Sequence, residues 1–386
     1  METDRLSVKT PATPLRRDDA SPQPVTSSPF PHGGPARPRG ALSAQPLAAP
    51  AVYAPMSSGL ALGLGGAALG NLFNAITDAE AEAVIEAAWA DGCRTFDTAP
   101  HYGHGLSEQR FGRVLRGKPR DSFVLSSKVG RILTADATAA RAQHGYVDVL
   151  PFNQHWDYSA AGVRRSVEDS LQRLGLARLD VAYLHDCDAA THGDAYPAVL
   201  RRVVDEAIPA LRRLRDEGLV RQIGLGVNDV QVCLDVMARA EIDCLLLAGR
   251  YSLIDHAGLA ALLPLCAERG VRVAAGGVFN SGILATGVRG KQPLRFDYGP
   301  ASTGLIERTA AIEAVCERFG VPLRAAALQF PKAHAAVAIV MAGPQTVPHW
   351  HDAMAMMAHP VPSAFWRALR EARLVPPEAP LPEGAA

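Results

Sequence analysis

Short apolar runs alternate with longer amphipathic stretches from about residue 58 to residue 375. The apolar runs show little alternation with polar residues, which is typical of strands covered on both faces. They predict eight strands, at residues 60–65, 94–97, 122–128, 179–185, 220–226, 243–247, 271–275 and 337–341. A strand followed by a helix eight times over predicts an α/β protein, a single-domain (β/α)8 TIM barrel.

The helical stretches carry their own start and stop signals. Thr77 with Glu80 forms a capping box ahead of the first helix, which Gly92 closes. Ser159 can cap a later helix that Gly175 closes. Further helices are predicted at residues 197–218, 229–240 and 256–270.

A doubly wound sheet is the alternative architecture, because GLGGAA at residues 63–68 fits a loose dinucleotide-binding glycine pattern. In a Rossmann unit the helix begins inside the glycine turn, so that its N-terminus meets the pyrophosphate. Here the helix signal comes only at Thr77. We therefore interpret these glycines as a tight bend after the first barrel strand.

The predicted barrel occupies residues 56–376, between an N-terminal segment 1–55 and a C-terminal tail 377–386. Residues 1–55 hold 11 of the 29 prolines and almost no periodic apolar pattern, so we predict a disordered tail. Its arginines and scarcity of acidic residues faintly resemble an organelle transit peptide. A dispensable tail is the favoured interpretation.

Composition excludes several classes of function. Apolar residues make up 48% and charged residues 20% of the chain, and 39 basic against 39 acidic residues give no net charge. That balance argues against a nucleic-acid-binding protein. Apolar runs are too short for a membrane span, so the expected location is the cytoplasm. The six cysteines lack metal-binding spacing, and no metal site is predicted.

Four ionisable residues lie at or just after the ends of successive predicted strands. Asp97 ends the second strand, Tyr102 lies in the loop after it, Lys128 ends the third and His185 ends the fourth. In a TIM barrel the carboxyl ends of the strands build the active site, so all four face one mouth. Each alone has an ordinary structural explanation, but together they predict a catalytic site.

The four residue types fit acid/base catalysis. A tyrosine has an ordinary pKa of about 10, and a neighbouring ammonium group lowers it. Lys128 would supply that charge, and Asp97 would hold the lysine as its ion-pair partner. His185 would orient a substrate oxygen and share its proton. The set predicts a tyrosine that gains or loses a proton while a hydride moves at the adjacent carbon.

Longer motifs surround these residues, namely GLGGAALGNLF, RTFDTAPHYGHGLSEQRFG, VLSSKVGR, SVEDSLQRLGLARLDVAYLHD, GLVRQIGLGVN and AGRYSLID. Together they resemble the aldo-keto reductase superfamily, and more closely its aldose 1-dehydrogenase branch. That branch includes L-fucose, D-threo-aldose and L-galactose dehydrogenases and pyridoxal 4-dehydrogenase. The resemblance implies a TIM barrel that binds NAD(P) without a Rossmann domain. It also implies that Tyr102 is the acid/base, with Lys128, Asp97 and His185 in support.

The same resemblance implies a set of cofactor-binding residues. Asn228 would bind the nicotinamide amide, and the loop after the seventh strand would bind the pyrophosphate. Gly343 and Gln345 follow the eighth strand, where relatives often carry a basic residue for the adenosine 2′-phosphate. Because the uncharged Gln345 cannot neutralise a phosphate dianion, NAD is expected, with NADP as the alternative. The pyrophosphate loop residues are Phe279, Asn280, Ser281, Gly282 and Leu284.

Residues 130–158 form an unusually long segment between a strand and its helix. Such loops are commonly functional lids or disordered, and the many aromatic rings in this one favour a lid. His155 and Trp156 are its candidate substrate contacts.

The leading hypothesis is NAD-dependent oxidation of an aldose of the L-fucose, L-galactose or D-arabinose type. Tyr102 would take the C1 hydroxyl proton, and the product would be a lactone. Alternatives are oxidation of pyridoxal, NADPH-dependent reduction of aldehydes and, from another class, a cofactor-sensing regulatory subunit. The expected partner is a small sugar or aldehyde, and the sequence does not fix the oligomeric state.

Overall fold

The computed structural model describes residues 61–289 and 293–383. The predicted N-terminal tail, residues 1–55, lies outside these ranges. At the other end, Ala379 is fully buried in the core, and Arg370 Nη2 donates to its carbonyl oxygen at 2.6 Å. Tight packing therefore continues into the predicted C-terminal tail, 377–386.

Eight parallel strands close into a barrel, which confirms the predicted fold. Each strand pairs with the next along the chain, and the first closes on the last, with Leu62 opposite Val340. Every strand overlaps its predicted range. The strands are β1 Leu62–Gly65, β2 Thr95–Asp97, β3 Val124–Val129, β4 Leu179–His185, β5 Val220–Val227, β6 Cys244–Ala248, β7 Arg272–Gly276 and β8 Val337–Ala342.

Two apolar layers stabilise the barrel. The larger lies between the strands and the surrounding helices, where residues such as Val84, Ile85 and Phe96 are fully buried. A smaller cluster, which includes Tyr183, Leu246 and Met341, fills the inside of the barrel. Since the barrel interior is a packed core, ligand sites are expected at its ends.

Helices surround the barrel, and two of them begin at the caps that the sequence predicts. Glu80 N donates to Thr77 Oγ1 at 3.2 Å and Thr77 N donates to Glu80 Oε2 at 2.8 Å, so the capping box is confirmed. Ser159 caps α3, which ends at Gly175. The helices are α1 Asp78–Ala90, α2 Leu106–Leu115, α3 Ala160–Leu174, α4 Ala189–His192, α5 Tyr196–Arg202, α6 Ile208–Asp216, α7 Val230–Met237, α8 Leu262–Arg269, α9 Ile283–Thr286, α10 Thr303–Phe319, α11 Leu323–Gln329, α12 Val347–Ala358 and α13 Ser363–Glu371.

Two predicted helices differ from those observed, and a proline explains each difference. The helix predicted at 197–218 is divided by a wide π turn at Val203–Ala207, just before Pro209. A proline inside a regular helix removes a hydrogen bond and clashes with the preceding turn, which the wide turn avoids. The helix predicted at 256–270 begins only at Leu262, which leaves Pro264 in the first turn, where no N–H is needed.

The long segment 130–158 folds as two antiparallel pairs at the carboxyl end of the barrel. Arg131–Ala135 pairs with Phe152–Trp156, and we call this pair the β3–α3 hairpin. At its far end, Ala142–Gln143 pairs with Tyr146–Val147. A third pair, Arg295–Phe296 with Gly299–Pro300, follows β7. No helix in the described ranges is long and apolar enough to cross a membrane.

Candidate active site

The structure brings all four predicted catalytic residues to the carboxyl mouth of the barrel. Asp97 ends β2 and His185 ends β4, while Lys128 is the last residue but one of β3. Tyr102 lies in the turn between β2 and α2, with its ring centroid 6.3 Å from that of His185. Parallel neighbouring strands place these residues together, as the sequence predicts.

Asp97 and Lys128 form a buried ion pair beneath the phenol. Lys128 Nζ lies 2.7 Å from Asp97 Oδ2, 3.0 Å from the Thr98 carbonyl oxygen and 4.5 Å from the centroid of the Tyr102 ring. Ser126 Oγ donates to Asp97 Oδ1 at 2.7 Å. The two charged side chains are 2% and 5% exposed, so removing either would leave an uncompensated buried charge.

The phenol of Tyr102 does not have the lowered pKa expected from the sequence. Burial, and next the Asp97 carboxylate, raise the pKa of Tyr102 well above its usual value. The prediction is wrong because Lys128 is already paired with Asp97, and because desolvation disfavours the phenolate. In the free protein Tyr102 is therefore a neutral phenol at neutral pH.

His185 is a neutral imidazole within a polar network. Burial, and then the charges of Arg131 and Lys128, lower the pKa of His185 well below its usual range. Its Nε2 atom lies 3.5 Å from Asp186 Oδ2, and Arg131 Nη2 contacts the same carboxylate oxygen at 2.7 Å. Tyr158 donates its hydroxyl to the carbonyl oxygen of His185 at 2.6 Å. Asp186 thus lies beside the Nε2 side of the ring and Tyr158 holds the backbone, while the buried Nδ1 atom has no hydrogen-bond partner among the described residues.

A cavity of about 510 Å³ opens above these residues. Several of its polar residues were not predicted from the sequence, and two of them, His101 and Asp186, directly neighbour predicted catalytic residues. That adjacency was a usable signal, whereas nothing in the sequence marked Tyr298, which comes from the hairpin after β7. His144 and Tyr146 lie in the aromatic segment 130–158 that the sequence predicts as a lid. The cavity residues that sequence analysis missed include His101, Asp186, Arg250 and Tyr298.

The segment 130–158 lines the cavity with residues other than the two predicted, and these residues lie beyond the β3–α3 hairpin. His155 is exposed, and neither it nor Trp156 is among the residues that line the cavity. Trp156 stacks on Tyr158 with ring centroids 5.7 Å apart, and the Arg131 guanidinium lies 3.9 Å from the centroid of the Trp156 ring. The structure therefore places Trp156 behind Arg131, while Tyr146 and His144 face the cavity.

The turn after β1 packs against the backbone of Tyr102. No α-helix begins inside GLGGAA, since only a short 3-10 turn forms at Ala68–Gly70 and α1 starts at Asp78. A Cβ added to Gly70 would lie 2.5 Å from the Tyr102 carbonyl carbon, and one on Gly103 would lie 2.4 Å from the Gly70 carbonyl oxygen. Only glycine permits this approach, so Gly70, two residues after the run, and Gly103 bring two backbone segments together. Within the run itself, a Cβ on Gly66 would lie 2.9 Å from the Asp97 carbonyl oxygen, so this glycine also serves a close backbone contact.

The predicted cofactor residues cluster at the same mouth. Asn228 lines the cavity just after β5. Asn280, Ser281 and Gly282 have successive positive φ angles of 45°, 58° and 102°, and the buried Asn280 Oδ1 has no hydrogen-bond partner among the described residues. The N–H groups of Asn280, Gly282 and Leu284 donate to carbonyl oxygens within the loop, so a pyrophosphate here would be bound by the remaining polar groups of the turn. Beside it lie Phe279 and Leu284.

The segment after β8 also meets this mouth. A Cβ on Gly343 would have only the Gly65 carbonyl oxygen near it, at 3.9 Å, so the surroundings are open. Gln345 Nε2 donates to the Asn74 carbonyl oxygen at 3.0 Å. This hydrogen bond holds the uncharged Gln345 amide in place after β8.

The hairpin after β7 reaches over the cavity. Arg250 Nη2 lies 2.6 Å from Asp297 Oδ2, and Arg250 Nε donates to the Asn228 carbonyl oxygen at 2.6 Å. Tyr298, next to Asp297, lines the cavity and donates its backbone N–H to Ser281 Oγ at 2.8 Å. Arg250 thus joins this hairpin to the loop after β5.

A TIM barrel with a phenol, a buried lysine–aspartate pair and a neutral histidine at its mouth defines an NAD(P)-dependent oxidoreductase. The chain belongs to the Aldo/keto reductase family, whose model matches residues 61–373. This confirms the resemblance that the motifs indicate.

Curated relatives match nearly the whole barrel. The chain is 40% identical over 325 residues to a pyridoxal 4-dehydrogenase from Microbacterium luteolum, covering 82% of this chain and 94% of the relative. It is 39% identical over 320 residues to a D-threo-aldose 1-dehydrogenase from a Pseudomonas species, with the same coverage. An L-galactose dehydrogenase from Arabidopsis thaliana is 30% identical over 292 residues, covering 74% of this chain and 81% of the relative.

Solved structures share the fold. An aldo-keto reductase from Bacillus halodurans, in its holo form, matches with a TM-score of 0.62 and 24% identity, covering 85% of this chain and 96% of that one. A glycerol dehydrogenase from Gluconobacter oxydans matches with a TM-score of 0.63 and 21% identity, covering 84% and 94%. At these identities the likeness establishes the fold alone.

Proposed function

We propose that this enzyme oxidises the cyclic hemiacetal of an aldose at C1 to a lactone, with NAD as the hydride acceptor. The observation that carries the proposal is the polar lining of the cavity around Tyr102. His101, His144 and Asp186 offer hydrogen-bonding groups there, and Tyr146 offers a ring face. An aldose presents a hydroxyl on most carbons, and such a substrate is bound by convergent polar groups.

The similarity to aldose dehydrogenases supports the same substrate class. The D-threo-aldose 1-dehydrogenase matches at 39% identity over 94% of its length, and the L-galactose dehydrogenase at 30% over 81%. The shared substrate feature would be a C1 hydroxyl on a hemiacetal carbon, which loses a proton and a hydride to become a lactone carbonyl.

Each residue of the set has a role in this proposal. Tyr102 accepts the proton of the C1 hydroxyl during oxidation and returns it during reduction. To accept this proton, Tyr102 must first lose its own proton and become a phenolate. Lys128 stabilises that phenolate, and Asp97 holds the lysine in place. His185, being neutral, can hydrogen-bond the substrate oxygen without adding charge. Bound NAD supplies the hydride acceptor.

The cofactor would lie across the loops that follow β5, β7 and β8. We assign Asn228 to the nicotinamide amide and the backbone turn at 279–284 to the pyrophosphate. Gly343 leaves space for the cofactor after β8, and Gln345 provides no positive charge for a 2′-phosphate. NAD is therefore proposed over NADP.

Pyridoxal is the second candidate substrate, because the pyridoxal 4-dehydrogenase is 40% identical over 94% of its length. Pyridoxal also forms a cyclic hemiacetal, so the same proton and hydride transfers would yield a lactone. The two candidate substrates differ in the ring that the cavity must hold, which is a saturated hydroxylated ring in an aldose and an aromatic pyridine ring in pyridoxal.

One assay separates these functions. Purified protein is mixed with NAD or NADP, and the absorbance of the reduced cofactor is followed against L-fucose, L-galactose, D-arabinose and pyridoxal. We expect the highest kcat/KM with NAD and an aldose. A higher kcat/KM with pyridoxal would reject the substrate assignment, and a clear preference for NADP would reject the cofactor assignment.

A further inference from the structure

His101 directly precedes Tyr102 and lines the same cavity. Its ring centroid lies 6.3 Å from that of Tyr102, 5.8 Å from that of His185 and 5.1 Å from that of Tyr146. When Tyr102 contacts the C1 hydroxyl, an imidazole at this distance from Tyr102 can reach a hydroxyl on another carbon of the same sugar ring. We infer that His101 accepts a hydrogen bond from a ring hydroxyl of the substrate and thereby selects hydroxylated over deoxygenated aldoses. This inference rests on the proposed function.

The β3–α3 hairpin fixes which nitrogen of His101 carries the proton. Gln154 Oε1 lies 2.9 Å from His101 Nδ1 and 3.4 Å from Arg131 Nη1. A guanidinium can only donate, so the amide atom that faces it must be the oxygen. The same oxygen faces His101 Nδ1, which must then be the protonated nitrogen. His101 Nε2 is left as an acceptor.

The orientation of Gln154 is itself determined by a charged contact. Arg131 is held by Asp186, with Nη2 2.7 Å from Oδ2. Turning the amide over would place its NH2 group against the guanidinium, donor against donor. The Gln154 Nε2 atom is buried and has no partner among the described residues, so the hydrogen bonds to Oε1 decide the orientation.

His101 keeps its acceptor across the pH range in which enzymes are assayed. Burial, and next the positive charge of Arg131, lower the pKa of His101 to about 2. Protonation of Nε2 would turn the acceptor into a donor, and this pKa prevents it. A neutral imidazole of fixed tautomer can pair only with a donor such as a hydroxyl.

A substrate that lacks this hydroxyl leaves a desolvated acceptor without a partner. Sites built to hydrogen-bond a substrate group reject analogues that lack it more strongly than apolar pockets reject a missing methylene. Leaving a buried polar group unpaired costs about 1 to 3 kcal/mol, which corresponds to a factor of about 5 to 150 in kcat/KM. The preference should appear for one ring hydroxyl and not for all of them.

The test combines substrate and protein changes. The kcat/KM of wild-type protein is measured for its best aldose and for each mono-deoxy derivative of that aldose, and then repeated with His101→Phe. We expect one derivative to be poorer than the parent by about tenfold or more in wild type, and by about twofold or less in His101→Phe. The inference is overturned if wild type shows no such penalty, or if His101→Phe retains it.

Two further variants complete the design. Gln154→Met removes the acceptor that faces His101 Nδ1, so the tautomer of His101 is no longer fixed and the same deoxy penalty should become smaller. This variant provides a test even if His101→Phe does not fold. An unchanged penalty in Gln154→Met contradicts the inference. His351→Phe repeats the substitution on the outer helix α12 and should keep the wild-type penalty. Wild type that oxidises pyridoxal and no aldose refutes the proposed function, whereas aldose oxidation without a deoxy penalty refutes only the role of His101.

Discussion

At the scale of single residues, the site depends on how Asp97 and Lys128 share their charge. The lysine is close enough to act on the phenol, yet its carboxylate partner lies 2.7 Å away and offsets much of its field at Tyr102. Burial adds to this effect and keeps the proton on the phenol in the free protein. Tyr102 is therefore poised as a proton donor, and its use as a base depends on pH.

This leads to a prediction for the pH dependence. Oxidation needs the phenolate, whose population rises as the pH approaches a pKa raised above the usual value. The kcat/KM for aldose oxidation should therefore increase with pH throughout the neutral and alkaline range, while reduction of the lactone or an aldehyde should not increase. Initial rates in both directions between pH 6 and pH 10, at about half-unit steps, check this.

Tyr102→Phe is the control for that profile. The variant should lose about a hundredfold or more in kcat, because the proton acceptor is gone. Quenching of protein fluorescence by NAD should show nearly unchanged binding, since the phenol is not assigned to the cofactor. A variant with wild-type kcat, or an oxidation rate that peaks below neutral pH, would contradict the assignment.

The sequence predicts some of these residues better than others. Asp97, Lys128 and His185 sit at strand ends, where order along the chain implies proximity in space. The pKa of Tyr102 was not predictable, because it depends on burial and on the partner that Lys128 already has. Arg250 and Asp297 are 47 residues apart along the chain, and no local pattern indicates that they meet.

At the scale of elements, the β-strands are well predicted because each is a continuous apolar run between turn signals. The β3–α3 hairpin is not, since its strands Arg131–Ala135 and Phe152–Trp156 are separated by 16 residues and carry mixed polarity. Its pairing is imposed by the barrel rim and by contacts such as Arg131 with Asp186. The sequence indicates only that the segment is long and aromatic.

The turn after β1 gives a prediction at this scale. Gly70→Ala would place a methyl group 2.5 Å from the backbone of Tyr102, so the turn must shift. We expect a loss of about 1 to 3 kcal/mol in the free energy of unfolding. The displaced phenol should lower kcat/KM by about tenfold to a hundredfold. Urea unfolding and steady-state rates measure both.

Gly304→Ala is the matched control. Gly304 lies in α10, and an added Cβ would meet no atom within 4 Å. This variant should keep wild-type activity and unfold at the same urea concentration or a slightly higher one. If Gly70→Ala behaves like Gly304→Ala, the glycine contact does not position Tyr102.

At the scale of the whole molecule, the described barrel closes between β1 and β8. Leu62 and Leu64 of β1 pair with Val340 and Phe96 on either side, and Val340 N donates to the Ala61 carbonyl oxygen at 3.0 Å. The match to the family also begins at residue 61. We therefore predict that the described core and the candidate site form without the N-terminal segment.

A chain that starts at Met56 should therefore fold and act like the full chain. We expect a Tm within about 2 °C of the full-length value and a kcat/KM within about twofold. Thermal unfolding and the NAD assay compare the two proteins. A large fall in either quantity would show that residues 1–55 contribute to the fold or to the site.

The Arg131 guanidinium has a consequence for how this barrel could be redesigned. Barrel loops are often regarded as interchangeable modules on a fixed catalytic base. Here one hairpin reaches both the catalytic residues and the inferred substrate contact. Its Arg131 pairs with Asp186, the neighbour of His185, and also fixes the Gln154 amide that faces His101. If His101 selects the substrate as inferred, we expect a hairpin grafted from a relative to change turnover and substrate preference together.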